Sequence, residues 1–277
     1  MRNKPRPYGL IGLELGMVIA ALICLVPFYF VVANSFKSFA ELMNDTAGLP
    51  QALNFANYRN AWESLNLPNA FKNSLMITVV SNLGLAIIAS MAAYRIVRYP
   101  TLFNRILFSV LVVSMVVPFQ AIMIPLIKVL NALHATNSVP GIVLCYFGLG
   151  VAFTTFLFHG FVKAIPKEIE ESAVVDGCNP FGVFWRIVFP LLRPMTITVI
   201  LLNSLWIWND FLLPLIVLQN PDLRTVQLSI NSLFGEHNNQ WDLALAALVM
   251  GAAPVVAFFL VLQRHIVEGI SAGAVKG

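Results

Sequence analysis

The sequence predicts an all-α membrane protein with six transmembrane helices. Three observations carry that expectation. Of 277 residues, 58% are hydrophobic and only 11% are charged, against about 25% charged in an ordinary soluble domain. The mean hydropathy is +0.80. Six segments almost free of Asp, Glu, Lys and Arg each reach roughly the 20 residues that cross a hydrocarbon core as a helix. So few charges cannot cover so much apolar surface in water. The composition therefore excludes an ordinary soluble enzyme, a disordered chain and a nucleic-acid-binding domain.

The first span is Leu10–Ala33. Arg2, Lys4 and Arg6 precede it, as in a signal peptide, but its apolar stretch exceeds the 7–15 residues of such a segment, so it is read as uncleaved. Glu14 lies one turn in and can snorkel to the interface. Ser74–Tyr94, Ile106–Ile127 and Val139–Phe161 follow. Met195–Leu218 is the fifth, with Pro214 expected to kink it, and Leu243–Leu262 is the sixth.

Lys and Arg accumulate in cytoplasmic loops. One side holds Arg2, Lys4, Arg6, Arg95, Arg98, Arg105, Lys163, Lys167, Arg186, Arg193, Arg264 and Lys276; the other holds only Lys37, Arg59, Lys72, Lys128 and Arg224. Both termini are accordingly expected inside, with loops 95–105 and 162–194. Segments 34–73, 128–138 and 219–242 are expected outside. The longest of these is too short for a large core of its own.

Energy-converting chemistry is not written in the chain. It has no GxxxxGK[ST] phosphate loop, no HExxH and no GxSxG. Cys24, Cys145 and Cys178 are far apart, and His134, His159, His237 and His265 are scattered. No metal site, disulfide framework or catalytic residue is expected.

Residues 162–194 are the most informative stretch. Pro166 suits the first turn of a helix. Glu168, Glu170 and Glu171 favour its N-terminal turns. Asp176-Gly177 ends it, because Gly takes the left-handed conformation without steric cost. Asn179 is an N-cap and Pro180 a first helical position. A second helix then carries Phe181, Phe184, Trp185 and Ile187, and Pro190 is expected to stop it. Its apolar face either packs on this chain's own helices or enters a groove on another chain.

In the fifth span, Asp210 is the deepest acid, and a charge in hydrocarbon needs a cavity or a partner. Asn203, Trp206 and Asp210 recur at helical spacing and are expected on one face. With Asn209 they form either a translocation pathway or an interhelical polar cluster.

Glu171-Ser172-Ala173, three residues, Gly177, nine residues and Ile187-Val188-Phe189-Pro190 resemble the EAA motif of ATP-binding-cassette importer permeases, E-A-A-x3-G-x9-I-x-L-P. Ser172 and Phe189 depart from it by like-for-like changes. Trp208-Asn209-Asp210-Phe211-Leu212-Leu213-Pro214-Leu215 is similar to the penultimate span of the carbohydrate-uptake permeases of the maltose-transporter type. The stretch from Gly269 to Gly277 is similar to their C-terminal tail. The resemblance is to the smaller, six-span subunit and covers the whole length, so 1–277 is expected to be one permease domain.

The resemblance implies the following. The 162–194 loop forms coupling helices that dock in clefts of ATPase subunits. Glu168, Glu171, Ser172, Ala173, Asp176, Gly177, Phe181, Phe184 and Pro190 are its coupling residues, and Glu168, Glu170 and Glu171 offer ion pairs at the rim. Asn203, Trp206, Asn209 and Asp210 belong to the pathway. Ser232, Phe234, Gly235, Asn238 and Asn239 lie in a loop that meets an extracytoplasmic sugar-binding protein. The tail reaches the ATPase interface. The chain itself holds no cofactor; ATP and magnesium sit on two partner ATPase subunits. A homologous permease completes a heterodimer in a bacterial or archaeal plasma membrane, and no nucleic acid takes part. The cargo is expected to be a sugar, an oligosaccharide first. The alternatives are glycerol phosphate or another polyol, or an ion-coupled secondary transporter.

Overall fold

The computed structural model describes residues 8–235 and 238–274. Its helices are α1 (Tyr8–Ser35), α2 (Phe39–Asn44), α3 (Ala56–Ser64), α4 (Leu67–Arg98), α5 (Leu102–Ser114), α6 (Phe119–Ala132) and α7 (Val139–Ala164). Then come α8 (Lys167–Val175), α9 (Pro180–Val183), a π-turn (Phe184–Val188), α10 (Phe189–Leu191), α11 (Arg193–Asn209) and α12 (Leu212–Val217). After a 3₁₀ turn at Pro221–Leu223 follow α13 (Val226–Asn231), a minimal hairpin of β1 (Phe234–Gly235) and β2 (Asn238–Asn239), and α14 (Trp241–Ala274).

Four of these helices are long and apolar enough to cross a membrane: α1 over Gly12–Ser35, α4, α7, and α14 over Trp241–Val261. Two bent pairs raise the number to six if each is one span. The exposed, largely apolar surface of α1 suits lipid rather than water.

The third expected span is not one straight helix. α5 and α6 meet at 111°. Three successive amides, of Met115, Val116 and Val117, bond three residues back and tighten the end of α5. Pro118 disfavours the helical region at Val117 and brings no N–H of its own, so the chain restarts at Phe119. The fifth expected span also breaks, and earlier than Pro214. α11 ends at Asn209, Asp210 is extended, and α12 begins at Leu212. In a continuous helix the Pro214 ring would meet the Asp210 carbonyl four residues back.

The chain divides into two compact units, one running to Leu67 and including Ile230–Ala253, the other spanning Pro68–Ser229 and continuing from Pro254. In the first unit, Lys37 is fully buried, and its ammonium donates to the carbonyls of Asp45 and Gly48 at 2.7 Å each. The Asn57 amide ties the backbone of Ser35 and Lys37. The rings of Phe36, Phe55 and Tyr58 pack beside it. The Asp45 carboxylate accepts from the amides of Ala47 and Gly48, which hold its pKa below the usual carboxylate value.

Two apolar clusters pack among the described residues of the second unit. One joins Ala89 and Ala93 of α4, Phe158 and Val162 of α7, and Val183, Phe184 and Val188 of the 162–194 segment. The other joins Ile77, Ile142, Tyr146, Ile207, Leu213 and Val217. The stretch after α12 is strapped to α4: Asn73 donates to the carbonyls of Asp222 and Arg224, and Ser74 Oγ accepts the Val226 amide.

Candidate functional site

Residues 162–194 form a helix–turn–helix that leads, after a one-residue break at Leu192, into α11. Pro166 is the N-cap of α8 rather than a residue of its first turn. Gly177 has φ +89°, and the amides of Asp176, Gly177 and Cys178 close the end of α8 on the carbonyls of Ser172, Val174 and Ala173. Asn179 caps the second helix through its side chain, at 2.7 Å from the Gly182 amide, and Pro180 is its first residue.

Pro190 does not end the segment. The π-turn carries the chain through it, with the Phe189 amide bonding the Phe184 carbonyl five residues back. This wider turn accommodates a proline that has no amide to give. The direction then changes by 72° between Pro180–Leu191 and Arg193–Asn209.

Of the three acids expected at the rim, Glu168 and Glu171 are exposed and Glu170 is not. Glu170 is buried, so the expectation that it offers a rim ion pair is corrected: Arg98 Nε donates to its Oε1 at 2.7 Å and Tyr94 to its Oε2 at 2.9 Å. Arg98 also donates to the Ile165 carbonyl. Phe184 is only 4% exposed and packs on Tyr94, Trp185 and Phe189, so it is not an external anchor. Phe181 is 66% exposed. Glu168, Glu171, Ser172, Asp176 and Pro190 are exposed, while Ala173 is buried against the helices.

The fifth-span residues divide as well. Trp206 and Asp210 line a cleft of about 520 Å³ with Gln120, Ser114 and Leu149. The phenol of Tyr146 donates to Asp210 Oδ2 at 3.1 Å and its ring meets Trp206 edge to face. The Leu213 amide bonds Asp210 Oδ1 across the helix break. Asn203 is not on that face: it is buried and donates to Thr154 Oγ1. Asn209 also lies apart from the cleft lining, with its amide on the Leu205 carbonyl and its oxygen toward Gln227. Sequence reasoning missed Tyr146 and Gln120, whose polar ends carry no spacing signal inside apolar runs.

In the 219–242 segment, Phe234 pairs with Asn239 and Gly235 with Asn238 in antiparallel register. The rings of Phe234 and Trp241 meet edge to face. Ser232 is exposed in the preceding turn. Glu236 and His237 are outside the described residues, as are residues 275–277 of the tail; α14 continues to Ala274. Among the described residues no His, Cys, Asp and Glu group is placed to hold a metal.

Residues 83–272 match the family of binding-protein-dependent transport system inner membrane components, and the chain belongs to that family. It is 42% identical, over 94% of each chain, to the probable starch degradation products transport system permease protein AmyC of Thermoanaerobacterium thermosulfurigenes. It is 34% identical, again over 94% of each, to the melibiose/raffinose/stachyose import permease protein MelC of Bacillus subtilis. The fold is similar to that of a bacterial ABC transporter involved in the import of the acidic polysaccharide alginate, with a TM-score of 0.82, 22% identity and coverage of 95% of this chain and 98% of that one. The protein is thus a multi-pass membrane transport subunit, not an enzyme, and works with a binding protein in an ABC complex.

Proposed function

We propose that the chain is one of two homologous permease subunits that carry a sugar, first of all an oligosaccharide, into the cytoplasm, while two partner ATPase subunits hydrolyse ATP. The permeases named for starch degradation products and for melibiose, raffinose and stachyose support a saccharide cargo. They lend nothing to glycerol phosphate or to ion coupling. In this reading 1–277 is one permease domain in a plasma membrane. Six spans are formed by counting α5 with α6, and the Pro180–Leu191 stretch with α11, as one each, and both termini are cytoplasmic.

One observation carries the coupling role: the EAA-like residues lie on a short rigid helix pair whose turn is fixed by Gly177. When the ATPases close, a rigid pair passes the displacement on to α11, where a loose loop would absorb it. Glu168, Glu171, Ser172, Asp176 and Phe181 meet the ATPase cleft. Ala173, Phe184 and Pro190 act from behind, by packing and by shape. The cleft at Trp206 and Asp210 is the cargo route, since rings stack on apolar sugar faces and a carboxylate accepts from hydroxyls. Asn203 and Asn209 position α11. Ser232, Phe234, Gly235, Asn238 and Asn239 form the tip that meets the binding protein, and the tail reaches toward the ATPases.

The test is Gly177→Val in the reconstituted importer. A β-branched residue at φ +89° costs about 1–3 kcal/mol in the left-handed region. Membrane insertion is expected to stay normal while cargo-stimulated ATP hydrolysis and uptake fall together. Normal hydrolysis and uptake at equal expression overturn the coupling role.

A further inference from the structure

The ends of α4, α5 and α7 and the start of α8 enclose a second open cleft, of about 500 Å³, of whose lining the transport reading uses Glu168 alone. Its polar rim carries Arg105, Lys163 and Lys167. All three side chains are exposed, and none pairs with a carboxylate among the described residues. Arg98 also lines it, but Glu170 already neutralises that charge. One acid, Glu168, opposes the three free cations. Below the rim the lining is apolar: Ile96, Val97 and Phe108, the last stacked on His159 at 4.0 Å between ring centroids.

Cations above an apolar floor, at the level where three spans end, match one kind of ligand. It has an anionic head and a hydrocarbon body, and it approaches from the side. Basic pockets between helices on the cytoplasmic side bind anionic lipid headgroups in this way. We propose that this cleft holds the phosphodiester headgroup of an anionic phospholipid of the cytoplasmic leaflet. Arg105, Lys163 and Lys167 grip the phosphate and Phe108 packs on the first acyl carbons. This rests on the orientation proposed above. The position has a consequence for coupling. Lys167 opens α8, so a bound lipid braces the base of the helix pair against α5 and α7.

The test uses the assembled importer, delipidated in detergent. Native mass spectrometry follows titration with dioleoyl phosphatidylglycerol or dioleoyl phosphatidylcholine, with inorganic phosphate as competitor. Phosphatidylglycerol is expected to bind in preference, and binding is expected to weaken about fivefold for each cation neutralised in K163Q, K163Q/K167Q and R105Q/K163Q/K167Q. The single variant guards against a folding loss in the triple one. Equal binding of the two lipids, or unchanged binding in all three variants, overturns the proposal. So does release of phosphatidylglycerol by millimolar phosphate with no lipid preference, which marks a free-phosphate site. Ala164→Cys, in a chain with Cys24, Cys145 and Cys178 changed to Ser, separates the two readings through an impermeant maleimide. Labelling from the outside overturns the orientation itself. Labelling from the inside without lipid preference overturns only the lipid site.

Discussion

Arg98, the last residue of α4, and Glu170, in the first turns of α8, form a buried ion pair, with side chains only 8% and 11% exposed. It fastens the helix pair to a membrane-spanning helix. Breaking a buried pair by removing one partner costs about 3–5 kcal/mol, because the other charge is left without compensation. Arg98→Ala and Glu170→Ala are each expected to lower thermal stability in detergent by that order. The double variant should lose clearly less than the sum. A double-mutant cycle showing simple additivity would refute the pairing.

Phe181 and Phe184 lie three residues apart and are expected to fail differently. Phe184→Ala opens a cavity among Tyr94, Trp185 and Phe189 and should cost about 3–5 kcal/mol of stability. Phe181→Ala removes an exposed ring and should leave the melting temperature nearly unchanged while weakening ATPase-subunit retention on copurification. Equal stability losses in both would contradict the burial difference.

The Tyr146–Asp210 hydrogen bond gives a third expectation. Tyr146→Phe removes a donor to a carboxylate and should cost about 1.5–3 kcal/mol. Asp210→Asn keeps an acceptor and should cost less. If the cleft carries cargo, uptake falls in both variants at matched expression. Normal uptake in both makes the pair a structural contact only.

Acid should loosen the 45–48 turn. The folded pKa of Asp45 lies below its value in the unfolded chain. Its contribution is therefore complete above the ordinary carboxylate pKa of about 4 and is lost as pH falls through the lower folded value. Amide hydrogen exchange at Ala47 and Gly48, corrected for the intrinsic pH dependence of exchange, should rise steeply below pH ~4 in the wild type. Asp45→Asn should flatten that pH dependence and exchange faster than the wild type near neutrality.

The turn at Asp176–Asn179 was readable because local chemistry decides it: Gly177, Asn179 and Pro180 each allow few alternatives. The inward placement of Glu170 was less visible, since its partner lies 72 positions away. A hint existed: Ala173, buried on the same face of α8, is one helical turn further on. The break at 115–118 escaped a hydropathy reading, which measures whether a stretch belongs in lipid and not whether its backbone is continuous; the kink expected from Pro214 falls at 210–211, before the proline itself. Pro118 and Pro214 were the available signals, and each acts on residues before it rather than at its own position.

The interruption at Asp210 has a mechanical meaning. An unbroken helix carries torque from end to end, whereas two helices joined by an extended residue turn nearly independently. The Val217 end is moored: the Asn137 amide bonds the Val217 carbonyl, and Asn137 Oδ1 accepts from the amides of Gln219 and Asn220. On the coupling role proposed above, a twist entering at Arg193 would end at Asp210, beside the Trp206 ring, and leave the moored half still.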